Sequence, residues 1–403
     1  MIVKVACRRE SMPQVKHATA NLRISVGGSD VLHAARRWGE SSMIVLSNTR
    51  VDPRFLRSLA ILSAVSLLLL AGSQAGAQES DRYTISGRDI AVYNIAGTVT
   101  VETGSDREVV VELEYHGADS RALEVAVDRI NGRETLRVIY PDDRIVYREM
   151  SRFSRTDMSV RRDGTFGGSG YGAHRVRITG SGSGLEAWAD VRIRVPAERD
   201  LAVYIGVGEI TATDVTGDFR LDTYSGDVHA TRVRGSLLVD TGSGRVTCNE
   251  IEGDLDIDTG SGRVDVYDVS GESIRLDTGS GRVTGEGVRA GRLVVDTGSG
   301  GIVIDGLAAE DIVLDTGSGS VTVELLEGVR RMIVDTGSGG VTVQVPRNIN
   351  AELEIDVGSG GIDVDIPIDY RRRSRSYVLG TLGSGNGRIY IDTGSGSVRI
   401  HPR

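Results

Sequence analysis

The sequence predicts an all-β protein whose C-terminal half is a parallel β-solenoid with about 18–21 residues per coil. The motif Asp-Thr-Gly-Ser-Gly occurs seven times, and from Asp222 to Asp356 the motif and its degenerate copies recur at intervals of 18 to 21 residues. Apolar and polar residues alternate on both sides of each copy. Such a short period is typical of stacked coils that share one core, and parallel crossovers favour a right-handed winding.

The first 77 residues are set apart from the fold. Residues 1–53 show no clear pattern and are interpreted as an over-called, unstructured start. Residues 54–77 combine two arginines, the apolar run Leu59–Ala71 and a small-residue site before Gln78, which is typical of a secretory signal peptide. We therefore expect an exported protein in the periplasm or at the cell surface. The apolar run is too short for a good membrane span, so no integral membrane segment is expected in the mature chain.

Two regions separate the signal peptide from the repeats. Residues 78–147 contain short apolar runs and an Asn131-Gly132 turn signal, so they are predicted to form a smaller β-rich region. Residues 148–184 are rich in Arg, Gly and Ser and are predicted to be a loop or linker. The solenoid is predicted to span residues 185–403, although the short interval between Thr381 and Asp392 suggests a collapsed terminal coil.

Within each repeat, the position of the Asp defines the expected inner and outer residues. Positions −3, −1, +6 and +8 are mostly Val, Ile or Leu, which predicts two strands that bury one side. The Asp is expected to accept hydrogen bonds from the turn N–H groups, and the two glycines to supply positive φ angles. Calcium bound along the Asp column is a weaker alternative. The structural turn ladder is predicted to consist of Asp222, Asp240, Asp258, Asp277, Asp296, Asp315, Asp335, Asp356 and Asp392.

No catalytic, cofactor-binding or metal-binding residues are predicted. A single Asp-Thr-Gly-Ser motif is typical of aspartic proteases, but copies at coil spacing lie side by side and cannot form a facing pair that shares a proton. The histidines share no spacing with Cys or carboxylate clusters, and none of the Gly-rich segments is a phosphate-binding loop. Cys248 occupies an inward position and is expected to be a buried, unreactive thiol.

Two basic segments are the candidate binding elements. A formal net charge of −9 makes the protein a poor candidate for nucleic-acid binding. Clustered arginines in such a chain could instead bind lipid phosphates or acidic glycans, although solvated loops are the simpler interpretation. The candidate polyanion-binding residues are Arg161, Arg162, Arg371, Arg372, Arg373 and Arg375.

The segment 193–203 and the repeated apolar-Asp-Thr-Gly-Ser-Gly-x-Val units resemble a bacterial putative-adhesin domain family of unknown function, DUF4097. The resemblance covers about residues 85–400 and implies an exported β-helical domain with no catalytic residues to carry over.

The sequence therefore predicts a non-enzymatic envelope scaffold or adhesin-like surface, whose partner is an unidentified envelope component, glycan or protein. Polyanion binding through the arginines and a β-helix glycan lyase or hydrolase remain alternatives. Because the chain ends directly after a strand, self-association through the C-terminal coil is also expected to be possible.

Overall fold

The computed structural model describes residues 20–26, 30–36, 80–167 and 172–403. The chain divides into two compact units, Met1–Gly76 and Ala77–Arg403. In the first unit, β1 (Ala20–Val26) and β2 (Asp30–Arg36) pair as an antiparallel hairpin. Residues 1–53 were expected to be unstructured, and this hairpin corrects that expectation. Apolar and polar residues alternate along β1, a pattern typical of a strand. The predicted signal peptide lies outside the described residues.

The second unit begins with strands of mixed direction and one short 3-10 helix, Ser120–Ala122. Its first eleven strands are β3 (Ser80–Ile85), β4 (Asp89–Ala96), β5 (Val99–Thr103), β6 (Val109–His116), β7 (Glu124–Ile130), β8 (Arg133–Ile139), β9 (Arg144–Val146), β10 (Arg155–Arg161), β11 (Ala173–Thr179), β12 (Trp188–Val195) and β13 (Arg199–Val207).

The remaining strands form the repetitive coils and their C-terminal cap. They are β14 (Ile210–Ser225), β15 (Val228–Arg234), β16 (Leu237–Thr241), β17 (Val246–Glu252), β18 (Leu255–Thr259), β19 (Val264–Thr278), β20 (Val283–Glu286), β21 (Arg289–Thr297), β22 (Ile302–Thr316), β23 (Val321–Leu325), β24 (Arg331–Thr336), β25 (Val341–Val345), β26 (Ala351–Val357), β27 (Ile362–Val364), β28 (Asp369–Arg373), β29 (Tyr377–Leu382), β30 (Gly387–Thr393) and β31 (Val398–Pro402).

The coils stack in parallel, as the sequence predicts. The strand that precedes each Asp-Thr-Gly-Ser-Gly corner pairs with its equivalent in the next coil, so that Asp222 aligns with Asp240 and Asp240 with Asp258. The strand that follows the corner pairs in the same way, with Val228 opposite Val246. A shared register places identical residues in continuous columns along the stack.

The core is the narrow aliphatic column that the period-two pattern predicts. Residues at positions −3, −1 and +6 are almost all fully buried; Val321, for example, is 0% exposed. Ile362 in the last spatial coil is only half-buried. In the 20-residue coil the register shifts, and Leu325 rather than Leu326 takes the buried place opposite Leu307. The pattern is thus confirmed, with small departures where coil length changes.

The last coil in sequence is not the last coil in space. Strand β30 pairs in parallel with β24 on one side and with β26 on the other. Strand β31 lies between β25 and β27 in the same way. The coil formed by residues 387–402 is therefore inserted between two coils that precede it in the chain.

This insertion explains the short interval before Asp392. Strand β29 runs antiparallel to β26, and the chain then turns back through β30 into the stack. The interval thus holds a reversal rather than a collapsed coil. The stack ends instead in the antiparallel pair β28–β29 and in β27, which has only three residues. Self-association through the C-terminal coil is therefore wrong as stated, because that coil is paired on both sides.

Antiparallel strands also close the N-terminal end. Strand β6 pairs antiparallel with β3 and β12, while β7 pairs antiparallel with β8. Strands β4 and β5 then join the first parallel coils through β13 and β14.

Residues 148–184 differ from the predicted loop or linker. Strand β10 pairs antiparallel with β11, which pairs in parallel with β9 to form a separate three-stranded sheet. Met158, Val160, Val176 and Ile178 are buried in the core cluster. These residues alternate with polar ones along both strands, a strand pattern that the high Arg, Gly and Ser content obscured. We call residues 144–182 the inserted basic sheet.

Candidate functional site

The repeated corner depends on its threonine rather than its aspartate. Thr316 is completely buried, and its hydroxyl donates to Gly300 O at 2.9 Å and accepts from Gly319 N at 3.0 Å. The same pair of bonds recurs in neighbouring corners, for example at Thr297. Inward and outward residues alternate along the strand, so after an inward position −1 the Asp lies outside and the Thr at position +1 lies inside.

The aspartates lie on the outer side of the same corners. The N–H of the first motif glycine bonds to a carbonyl of the neighbouring coil, as Gly317 N does to Thr297 O at 3.2 Å. The N–H of the second glycine bonds to the buried threonine. The structure therefore differs from the predicted Asp turn ladder: the carboxylates do not hold these N–H groups.

The motif glycines are required for close approach of the coils, not for the predicted positive φ. A Cβ built on Gly262 would lie 1.5 Å from Gly244 O, and one on Gly279 would lie 2.4 Å from Gly260 O. The left-handed residues occupy a different column, where Arg232, Glu250 and Asp268 have φ near 50° and later coils have glycine.

Carboxylates follow one another along the regular coils, and only some of them, such as Asp277 beside Arg275, have an arginine partner. Burial, reinforced by the charges of Asp277 and Asp240, raises the pKa of Asp258 above its ordinary value. Burial and the neighbouring Asp296 and Asp335 do the same for the pKa of Asp315. Burial and like charges one coil apart both disfavour the ionised form, so Asp258 and Asp315 are easier to protonate than isolated carboxyl groups.

The N-terminal end of this column is aromatic. Tyr93 and Tyr204 occupy the register positions before Asp222, and their rings stack with centroids 4.4 Å apart. The Arg220 guanidinium lies 5.7 Å from the Tyr204 ring centroid and donates to Asp222 at 3.0 Å. Burial nevertheless leaves the pKa of Asp222 raised.

A shallow groove of about 680 Å³ covers the outer side of the first coils. Asp200, Asp218, Arg220, Asp254 and Arg275 line part of it. The carboxylates of Asp218 and Asp254 accept backbone N–H groups of the next coil, and Arg275 donates to Asp277 at 2.6 Å. These charged side chains therefore already have hydrogen-bond partners within the protein.

Electrostatics in the inserted basic sheet are the reverse of those in the Asp column. The Asp157 carboxylate lies 2.6 Å from the Arg155 guanidinium, 3.0 Å from that of Arg177 and 3.2 Å from that of Arg175. Desolvation raises the pKa of Asp157, but the hydrogen bonds from Arg155 and Arg177 outweigh it and hold the pKa at about 2. One carboxylate thus forms ion pairs with three guanidinium groups, so this cluster has a net positive charge.

The six candidate arginines fall into two separate groups. Arg161 and Arg162 lie at the end of β10, whose sheet packs beside the first coils. Arg371, Arg372 and Arg373 belong to the terminal strand β28, and Arg375 follows it. With about ten coil steps of roughly 4.8 Å between these ends, the groups cannot form one site.

The arginines of the C-terminal group are exposed but not all free. Arg371 pairs with Glu352 at 2.9 Å. The Arg372 guanidinium lies 5.6 Å from the Tyr377 ring centroid, and that of Arg373 lies 4.8 Å from the Tyr370 ring. These contacts hold the side chains over the last antiparallel strands.

Other candidate chemistry is limited in the described part of the chain. Cys248 is fully buried, and burial raises the pKa of its thiol to about 12. Over the described ranges, no group of three or more His, Cys, Asp or Glu residues is placed to hold a metal ion. No helix in that part of the chain is long and apolar enough to cross a membrane.

The comparisons with known proteins cover most of the chain. The model of the Toastrack DUF4097 family matches residues 88–401. Among solved structures, a putative cell adhesion protein from Clostridium sporogenes is 10% identical, with 81% of this chain and 100% of that chain covered and a TM-score of 0.20. A putative adhesin from Bacteroides fragilis is 11% identical, with 81% and 98% covered and a TM-score of 0.35. No curated protein matches the sequence.

Proposed function

Since the chain belongs to the DUF4097 (Toastrack) family, we propose that it is an exported, non-enzymatic β-solenoid that acts as a scaffold or adhesin-like interaction surface in the cell envelope. A rigid stack fits this role because every interior coil is hydrogen-bonded on two sides. Its binding chemistry would lie in the elements that interrupt the repeat.

The observation that carries the proposal is the contrast between the repetitive wall and those elements. The coils repeat one corner motif and one set of inward aliphatic residues, whereas the inserted basic sheet and the hairpin β28–β29 have their own composition and concentrate arginine. An enzyme of the β-helix lyase or hydrolase class would need a non-repeating cluster of acid and base groups on the wall. The outer charges near the groove instead pair with each other or with backbone N–H groups.

Polyanion binding through the arginines is the second candidate. It is favoured by the exposure of residues 371–376 and by the excess of arginine over acid in the inserted basic sheet. If this candidate is correct, replacing Arg371, Arg372, Arg373 and Arg375 with glutamine should weaken binding to acidic glycans while the melting temperature stays unchanged. Binding should also fall with added salt, because exposed charges are screened within about 8 Å at physiological ionic strength.

Export is tested by recovering the protein from cell fractions. We expect the envelope fraction to contain a chain that begins within a few residues of Gln78. Detection of peptides from residues 1–42 would contradict the interpretation of residues 1–53 as an over-called start.

A binding and turnover screen tests the proposed role. The processed protein is incubated with a panel of acidic and neutral polysaccharides and with phospholipid vesicles, and both retention and product release are measured. Retention without product supports a scaffold or adhesin-like surface. Release of shortened glycans would show that the protein is an enzyme and would overturn the proposal.

A further inference from the structure

One aromatic side chain is exposed to an unusual degree. Phe153 is 92% exposed, whereas Phe166 and Phe219 are 7% and 3% exposed. Full exposure of a phenyl ring costs the free energy that its burial would otherwise release. No neighbouring element of the described chain covers this ring.

The turn that carries Phe153 is held by hydrogen bonds. Ser154 N donates to Ser151 O at 2.8 Å, and Gly180 N donates to Ser154 O at 3.3 Å. The Ser181 hydroxyl donates to Arg152 O at 2.8 Å. Hydrogen bonds to the residues before and after Phe153 thus fix the turn to the end of the β10–β11 hairpin, so the exposed ring is displayed by an ordered segment.

Arginine predominates in the sheet that carries the ring. Residues 144–182 contain eight arginines and only three acidic residues. The Arg152 guanidinium lies 5.9 Å from the Phe153 ring centroid, and no carboxylate pairs with it among the described residues. Arg155, two residues along the chain, shares the single carboxylate of Asp157 with Arg175 and Arg177. The inserted basic sheet therefore combines one fully exposed apolar ring with a net positive charge.

We propose that Phe153, Arg152 and the arginines around Asp157 form a docking site for an anionic phospholipid bilayer. A phenyl ring enters the boundary between head groups and acyl chains, while guanidinium groups stay among the lipid phosphates. The inference rests on the proposed envelope function, since it names the partner of one interrupting element.

The chemistry of the patch favours a bilayer over a protein partner. Stable protein interfaces bury about 800 Å² on each partner around an apolar core. Here a single exposed ring lies on an arginine-rich sheet. Charge complementarity with an anionic surface needs no second apolar group.

The test uses residues 77–403, which form a compact unit and omit the apolar run Leu59–Ala71 that would itself enter lipid. Partition is measured by flotation with phosphatidylcholine vesicles, with and without phosphatidylglycerol. We expect binding only when the anionic lipid is present. Phe153→Ser should reduce this partition about tenfold, a change that corresponds to loss of one partly inserted aromatic ring.

Matched controls separate the patch from general charge and apolar exposure. Arg152→Gln should weaken partition several-fold, whereas Arg245→Gln removes one exposed charge from a regular coil and should leave it unchanged. Val127→Ser changes another exposed apolar side chain, 43% exposed, and should also have no effect. The melting temperatures of all four variants should match that of the parent protein, since these side chains are on the surface.

A Phe153→Trp variant reports insertion directly. Its emission, after subtraction of the parent spectrum, should shift to the blue with anionic vesicles and be quenched by lipids brominated on the acyl chain. Soluble glycerol phosphate should not displace the protein. Displacement by glycerol phosphate, or partition of Phe153→Ser equal to that of the parent, would overturn the bilayer site.

Failure of this inference and failure of the proposed function give different results. If anionic vesicles are not bound but a glycan in the screen is retained, the bilayer site is wrong and the scaffold proposal stands. If shortened glycans are released, the scaffold proposal is wrong whatever the vesicles show.

Discussion

The regular coils and the inserted basic sheet shift the pKa values of their aspartates in opposite directions. In the coils, burial together with the repulsion between aspartates aligned in one column raises the pKa values of Asp258 and Asp315. In the inserted basic sheet, three arginines share Asp157, whose pKa is held at about 2. Stacking can therefore tolerate an unfavourable column of like charge when a buried bond network supports it. The irregular element instead retains surplus charge that is available for a partner.

The largest effect is expected from a charge placed inside the coils. Val321→Asp puts a carboxylate into the aliphatic column, where we expect a loss of about 3–5 kcal/mol in the free energy of unfolding. Thr322→Asp lies one residue further along and is exposed, so its change should stay within about 0.5 kcal/mol. Chemical denaturation measures both. Equal losses would contradict the assignment of inner and outer residues.

A smaller effect distinguishes the two residues of the corner. Thr316→Val removes both buried hydrogen bonds of the hydroxyl and leaves Gly319 N and Gly300 O without them, at a cost of about 1–3 kcal/mol. Asp315→Asn should not destabilise the protein at neutral pH, because it relieves repulsion from Asp296 and Asp335. If Asp315→Asn proved the more damaging of the pair, the aspartate would be the structural residue after all.

The smallest effect is a pH dependence of the Asp column. A carboxyl group with a raised folded-state pKa adds stability below its unfolded pKa and loses it as pH rises through the folded pKa. The double variant Asp258→Asn, Asp315→Asn should therefore be more stable than the parent protein at pH 7. That advantage should shrink as pH falls to about 4. Thermal melting at several pH values checks this, and an advantage that grows toward acid would contradict the raised pKa values.

Asp157→Asn is the matched control from the other region. The pKa of Asp157 is lowered, so its contribution is present above its unfolded pKa and is lost only as pH falls toward about 2. This variant should be destabilised across the neutral range.

The sequence predicted the coil and its core because both depend on local alternation. Seven copies of one motif gave the register, and the inward Val, Ile and Leu residues followed from a period of two. The role of Thr316 escaped prediction because a polar residue beside a turn is ordinarily placed outside. Its burial continues the alternation of Ile312 and Leu314, and the hydrogen bond to Gly300 in the neighbouring coil satisfies the buried hydroxyl.

Strand pairing between residues far apart in the sequence could not be predicted from local patterns. The insertion of β30 between β24 and β26 depends on contacts that no local pattern encodes, although the short interval before Asp392 marked the place. The inserted basic sheet was hidden by its composition. Phe153 was missed because exposure of one aromatic residue is visible only after folding.

The central claim is that the regular coils are structural and that the interrupting elements bind. Hydrogen–deuterium exchange of residues 77–403 with and without anionic vesicles tests it most directly. We predict added protection in peptides from residues 148–182 and no change in peptides from residues 237–345. Protection that appears on the coils while residues 148–182 stay unchanged would contradict the account.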